Sequence, residues 1–285
     1  MNGPKHARST TKGRTYQHPV TGETAWSVTT IMDAALPKPA LVGWAARMVA
    51  EYAVANHSRL EALLQGVRLQ KDGDARLVVS DPSAVDAAVD WLKGAPYRDK
   101  QRKADIGTAI HQRIEARILG TPMPEPPEEL APRLAHFEAF ERAFRPEWLL
   151  SEATVWNRTE AYAGTLDWIA RIGRHVVLGD TKSGKDVYPE VAIQLAAYQR
   201  AEFVLMPDGT EEPMPATEGA CVLHLTDDGY RLVPVHVTED TYRTFLHCRE
   251  MFRWADEFSK RSLGLDLTGP DGVDWTFAQT IGRAA

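Results

Sequence analysis

Residues 151–182 read SEATVWNRTEAYAGTLDWIARIGRHVVLGDTK, and the fold turns on them. Three runs rich in apolar and β-branched residues, 151–156, 161–171 and 175–180, are separated by turn-like residues around Asn157 to Glu160 and at Gly173. That pattern predicts a three-stranded meander. Downstream, Pro189 precedes an amphipathic helix over 190–205. Two further strands follow at 220–226 and 230–237, and then a last helix over 239–259.

Upstream the periodicity is helical. Residues 1–14 are basic and polar and read as a mobile tail, and Pro19-Val20-Thr21-Gly22-Glu23 marks a hairpin over 16–26. Ser27 is an N-cap for a helix over 28–35, Pro37 and Pro39 interrupt, and a second helix over 40–56 carries Trp44, Met48 and Tyr52 four residues apart. Asp81-Pro82-Ser83 opens a helix toward Lys93, and a long helix over 98–119 stops at Gly120. A loop over 122–127 precedes a helix to Phe144. The fold class is therefore α/β: a mixed sheet flanked by helices with a helical N-terminal addition. The expected division is a helical region with a short hairpin over 1–97, a core over 98–260 and a tail over 261–285.

The 285 residues are 44% hydrophobic and 25% charged, which argues against disordered, collagen-like and coiled-coil classes. A chain of this length buries a core without staples. Two cysteines, Cys221 and Cys248, are too few for a disulfide framework or a four-thiolate metal or iron–sulfur site. No run of about 18 apolar residues occurs, and the Met1-Asn2-Gly3-Pro4-Lys5-His6 start lacks the apolar core of a signal peptide. A cytoplasmic protein that neither is exported nor enters a membrane is expected. The net charge of −6 is uneven: +5 over 1–120, −3 over 121–200 and −8 over 201–285. Polyanions respond to local potential, so a basic N-terminal half is compatible with nucleic acid.

The stretch Gly179-Asp-Thr-Lys-Ser-Gly184-Lys185-Asp186 fits G-x-x-x-x-G-K after a strand, as in a phosphate-binding loop. Its last position is wrong: Asp186 stands where a magnesium-ligating Ser or Thr belongs, and Pro189 sets the helix start several residues too late. The same stretch contains Asp180-Thr181-Lys182. Strand alternation puts the Asp180 carboxylate and the Lys182 ammonium on one side and Thr181 on the other. Such a pair can hold a hard divalent cation and orient its water; the alternative is an exposed ion pair. Asp167, in Gly164-Thr165-Leu166-Asp167, lies on the preceding strand, where a hairpin can bring it beside Asp180. Two buried carboxylates call for a cation, whereas two exposed ones are ordinary strand residues. His111 sits at the edge of the stripe formed by Gly107, Ile110, Ile114 and Ile118, as a third ligand or a hydrogen-bonded core imidazole. Gly107-Thr108 would let another backbone approach there. Gln194 and Tyr198 share a helix face, able to hold Lys182 or a DNA phosphate.

Together, Gly107-Thr108-x-x-His111, Gly164-Thr165-Leu166-Asp167, Asp180-Thr181-Lys182-Ser183-Gly184 and Gln194-x-x-x-Tyr198 resemble the RecB-like branch of the PD-(D/E)XK nucleases, over about residues 100–205. Ser27-Val-Thr-Thr-Ile-Met, Leu36-Pro-Lys-Pro-Ala-Leu and Trp44-Ala-Ala also look like the N-terminal region of phage-encoded exonucleases related to the CRISPR-associated RecB-like enzymes. The resemblance implies a restriction-endonuclease-like core and a DNA exonuclease of recombination, repair or replication. It implies Mg2+ or Mn2+ held by His111, Asp167, Asp180 and the Thr181 carbonyl. Lys182 would be catalytic, with Gln194 and Tyr198 accessory. Glu152 matches an acidic position of some relatives and would support the metal or a second one, with Glu115 a similar minor candidate. The chain departs from cluster-bearing relatives, so no iron–sulfur cluster is expected. DNA is the expected partner, with a recombination or replication protein as a further one, in a host cytoplasm if phage-encoded. Arg98, Lys100, Arg102, Lys103 and Lys185 are candidate phosphate contacts. The alternatives are an inactive DNA-binding or adaptor protein on the same fold, and a P-loop nucleotide hydrolase.

Overall fold

A computed structural model describes residues 5–65, 67, 69–72 and 76–263. The N-terminal strands β1 (Ala7–Thr10), β2 (Gly13–Gln17) and β3 (Thr24–Ser27) lead into α1 (Val28–Ala35), α2 (Pro39–Ala55) and α3 (His57–Leu63). A small hairpin, β4 (Leu69–Asp72) and β5 (Arg76–Val79), precedes α4 (Pro82–Lys93), α5 (Ala95–Ile118) and α6 (Ala131–Phe144). The meander is β6 (Glu147–Asn157), β7 (Tyr162–Ile172) and β8 (His175–Lys182), followed by α7 (Val191–Gln199). The chain continues through β9 (Phe203–Leu205), β10 (Glu211–Pro213), β11 (Gly219–Leu225), β12 (Tyr230–Val235) and α8 (Glu239–Arg253).

Local chemistry sets these boundaries. Ser27 Oγ accepts the Thr30 amide at 3.0 Å to start α1, and Asp81 accepts the Ser83 and Ala84 amides ahead of Pro82 to start α4. Thr238 and Thr241 cap α8 reciprocally. Gly173, at φ 60°, turns β7 into β8 with Ile172 opposite His175.

The sheet is mixed: β6, β7 and β8 pair antiparallel, β8 and β11 parallel, β11 and β12 antiparallel. One edge of β7 is divided between two neighbours. From Trp168 to Ile172 it pairs with β8, whereas Tyr162 and Ala163 pair in parallel with Trp26 and Ser27 of β3. Between them the sheet forks. One face of β8 and β11, including Leu178 and Val222, packs with Ile31, Leu195 and Phe245 of α1, α7 and α8. The other, including Cys221 and Leu223, packs with Ile110, Ile114, Phe137 and Phe140 of α5 and α6.

The helix-flanked mixed sheet expected from the sequence is found, with the meander and the β11–β12 pair. Several local expectations are corrected. Beyond its first four residues, which lie outside the described ones, the expected tail over 1–14 contains β1 and the start of β2. The boundary at 97 does not isolate an N-terminal unit: β1 to β3 extend the main sheet, and α1 sits in its core. The helix expected over 190–205 ends at Gln199, and Phe203 to Leu205 instead form β9 beside β6. A three-residue apolar run suits a buried strand as well as a helix turn, and pairing with distant β6 decides. The tail expected from 261 lies, beyond Leu263, outside the described residues. Among the described residues no helix is long and apolar enough to cross a membrane.

Candidate active site

The fork in the sheet supplies the site. The ladder between β7 and β8 ends at Trp168 opposite Gly179, and β8 runs on beside β11 through Asp180, Thr181 and Lys182. Where the ladder stops, the Asp167 carboxylate substitutes for backbone and accepts the Thr181 amide at 2.6 Å. Thr181 turns its hydroxyl to the opposite face, where Trp168 Nε1 donates to it at 3.1 Å. Asp180 and Lys182 share the α7 side, as strand alternation requires.

Lys182 Nζ donates to Asp180 Oδ1 at 2.9 Å, and Gln194 Nε2 donates to the same oxygen at 3.2 Å. The ammonium also ion-pairs with Oδ2 at 2.8 Å, so both oxygens of this buried carboxylate face it. Burial and the neighbouring charge of Asp167 push the Asp180 pKa up to about 6. Burial also raises that of Asp167, against the charges of His111 and Lys182. Burial works against the Lys182 charge, but Asp180 and Asp167 outweigh it and keep the ammonium protonated to higher pH than usual.

His111 comes from α5, where buried Ile110 and Ile114 fix the helix face. Its Nε2 lies 3.0 Å from the Thr181 carbonyl, and its Nδ1 lies 3.2 Å from Glu152 Oε1 and 3.5 Å from Asp167 Oδ2. A carbonyl only accepts, so Nε2 carries a proton and Nδ1 faces the carboxylates. Burial disfavours the imidazolium, yet Asp167, Glu152 and Asp180 together push the His111 pKa up to about 9. Among the described residues, the metal-ligating atoms that converge within 4.8 Å of one another belong to His111, Glu152 and Asp167. This donor set, with the Asp180 carboxylate beside it, fits a hard divalent cation.

The residues expected from the sequence thus meet, with changed parts. The Thr181 carbonyl is turned to the imidazole and fixes its orientation. Asp180 is held by Lys182 and Gln194, outside the three-residue convergence. Glu152, expected as a supporting group, is central. The β6–β7 register sets Ser151 opposite Trp168 and Ala153 opposite Leu166, so Glu152 faces Asp167 across the strands. Its backbone is at φ 46°, a left-handed conformation that a side-chain-bearing residue adopts at a cost. No local motif announces that strain. Glu115, one turn beyond His111, does not join the cluster. Tyr198 is buried, its ring lying across Gly164, where a Cβ would come within 2.4 Å of it, so it supports β7 and does not meet DNA. Gln194 holds Asp180 and not Lys182. A Cβ at Gly107 would make an ordinary 3.7 Å contact with Ser183 Oγ, so close approach does not require glycine there.

As Pro189 implied, the next helix begins only at Val191 and Gly179 to Lys182 are strand, so the stretch does not run into a helix N-terminus as a phosphate loop does. The basic group on α5 is mostly engaged elsewhere. Arg98 donates to the Trp91 carbonyl at 2.9 Å and lies 4.7 Å over the Tyr52 ring, which ties α2 and α4 to α5. Lys103 pairs with Asp99 at 2.6 Å and faces Trp44, and Arg102 is 3.6 Å from Asp99. At a rise of 1.5 Å per residue, Arg98 is also about 20 Å from His111 along the helix. Lys100 and Lys185 are exposed and make no ion pair with a described residue.

Two predictions follow from this geometry. Glu152→Gly is expected to melt higher than Glu152→Ala in metal-free protein, because both lose the contact with His111 while only glycine adopts φ 46° without strain. Both changes should weaken Mn2+ binding by about 10–100-fold. Calorimetry reads both effects, and a glycine variant that melts below the alanine one would contradict the strain. Second, a cation at His111 Nδ1 must displace a proton bound up to about pH 9. Mn2+ affinity should therefore rise roughly tenfold per pH unit between about pH 7 and 9. Titrations in buffers of different ionisation enthalpy should count about one proton released at neutral pH.

No family model matches the chain, and no curated protein matches it in sequence. Among solved structures, the crystal structure of SSO0001 is 14% identical over 44% of this chain and 58% of its own, with a TM-score of 0.29. The matched part thus spans just over half of that chain, and likeness at this level fixes neither fold nor activity.

Proposed function

We propose that the chain is a Mg2+- or Mn2+-dependent deoxyribonuclease, an exonuclease of DNA recombination, repair or replication. What carries this reading is the strand end of β8: a buried carboxylate, Asp180, ion-paired with an ammonium, Lys182, and next to the convergence of His111, Glu152 and Asp167. The quoted resemblance to RecB-like nucleases names the same residues.

His111, Glu152 and Asp167, with Asp180, would hold the cation. A bound divalent ion supplies charge neutralisation at a phosphodiester and an acidified water. The chain's own residues do the rest. Lys182, kept charged by Asp180 and Asp167, neutralises negative charge developing on the phosphate and holds the attacking water by hydrogen bond. Gln194 fixes Asp180 from α7, and the Thr181 carbonyl fixes the imidazole from β8. The partner is DNA, with most of the negative charge, −8, carried by residues 201–285 at the far end of the sequence.

The test is incubation of end-labelled linear DNA, beside a covalently closed circle, with Mn2+. An exonuclease degrades only the linear form. Cleavage of the circle would make the enzyme an endonuclease, and DNA binding with both substrates intact would favour an adaptor. Metal-dependent ATP hydrolysis without DNA loss would overturn the nuclease reading.

A further inference from the structure

His224 is a buried, strand-borne imidazole that the cation cluster does not use. It stands on β11 opposite Lys182 in the parallel register and is 2% exposed. Its Nε2 lies 2.9 Å from the Gly184 carbonyl, and its Nδ1 lies 3.1 Å from Arg231 Nη2. A guanidinium can only donate, so Nδ1 is the acceptor, the ring is neutral, and Nε2–H donates to Gly184. The same Arg231 nitrogen reaches Asp186 Oδ1 at 3.2 Å, and that oxygen accepts the Val187 amide at 2.8 Å. Two strands thus grip both limbs of the segment 183–188, between Lys182 and the helix of Gln194. The segment also runs near the His111 helix, since a Cβ placed on Gly107 would lie 3.7 Å from Ser183 Oγ. Its outward side chains are Lys185, exposed and without an ion pair to a described residue, and Tyr188, 58% exposed. An irregular segment held this firmly has paid its ordering entropy before any ligand arrives.

We propose that His224 and Arg231 are positioning residues that clamp segment 183–188 as a DNA-contact element, with Lys185 on a strand phosphate and Tyr188 against the adjoining nucleotide. The proposal rests on the nuclease reading for the identity of the polyanion. An ammonium with no ion pair to a described residue, next to a site that accepts phosphodiesters, suits a backbone phosphate. An exposed ring beside it suits a base or sugar face.

The test is equilibrium binding of a fluorescein-labelled DNA duplex with a single-stranded end, followed by anisotropy in EDTA from about 50 to 200 mM KCl. Lys185→Ala is expected to weaken binding several-fold and to reduce the slope of log affinity against log salt by about 0.7–0.9, one phosphate contact. His224→Ala removes no charge from a neutral ring, yet should produce the same loss of slope. The double variant should lose no more than either alone. His224→Gln, which keeps a donor near Nε2, should restore both affinity and slope. Arg231→Gln, at an exposed side chain, covers the case in which His224→Ala does not fold, and should likewise add nothing to Lys185→Ala. Unchanged affinity and slope in a folded His224→Ala protein, or losses that add fully to those of Lys185→Ala, would overturn the clamp. Wild-type cleavage with Mn2+, assayed in parallel, separates the two readings. Cleavage with unaffected clamp variants removes only the clamp, and weakened binding without any cleavage removes only the nuclease.

Discussion

Asp180→Ala and Lys182→Ala are each expected to lower the rate of Mn2+-dependent DNA hydrolysis by about 10³-fold or more, while the double variant is scarcely worse than either single one. The two side chains act as a unit. Lys182 Nζ sits 2.9 Å from one Asp180 oxygen and 2.8 Å from the other, so removing either leaves its partner without its ion pair and misplaced. Asp180→Asn separates chemistry from folding. The Asp180 pKa is about 6, above its ordinary value of 3.8. A group raised in this way binds its proton more tightly when folded, so wild type loses stability as pH rises from about 4 to 6 and stays at the lower level above that. The asparagine keeps an acceptor for Lys182 and Gln194 without the charge. At about pH 7.5 the metal-free variant should fold, as read by circular dichroism, while remaining inactive. Activity within tenfold of wild type in either alanine variant would remove these residues from the mechanism.

Gly179→Ala is expected to destabilise the fold by about 3 kcal/mol or more, enough to prevent accumulation of folded protein at 37 °C. Gly179 pairs directly with Trp168 across β7 and β8. A Cβ there would fall 2.0–2.2 Å from three atoms of the indole. The indole cannot withdraw: it is 1% exposed, its Nε1 is bonded to Thr181, and the Trp148 ring lies edge-on at 5.5 Å. Gly184, five residues on, is the control, since a Cβ there meets nothing within 4 Å. Gly184→Ala should lie within about 0.5 kcal/mol of wild type. Denaturant unfolding of the two variants checks the contrast, and equal midpoints would contradict the account of the indole.

The element order was legible because its signals are local. Ser27, Asp81 and Gly173 state their roles to neighbours within a few residues, and the alternation along 151–182 marks strands whatever lies around them. Glu152 was legible as an acid on the right strand but not as a strained one, since its φ depends on how β6 is pinned against β7. The basic run at 98–103 was legible as charge but not by its partners, since composition does not reveal that Trp91, Tyr52, Trp44 and Asp99 engage Arg98, Lys103 and Arg102.

By itself the sequence determined a helix-flanked mixed sheet and the chemistry-bearing set His111, Asp167, Asp180 and Lys182, because hydrophobic period, caps and turn residues act over a few positions. Tertiary structure alone decided where those groups meet. The fork in β7 arises because Trp26 and Ser27 pair with Tyr162 and Ala163, more than 130 residues away, while β8 takes the rest of the same edge. The imidazole is aimed by the Thr181 carbonyl across 70 residues, and the segment after Lys182 is gripped by His224 from 40 residues away. Such pairings leave no periodic trace, since each is chosen by the competition of whole strands for partners and not by the residues beside it.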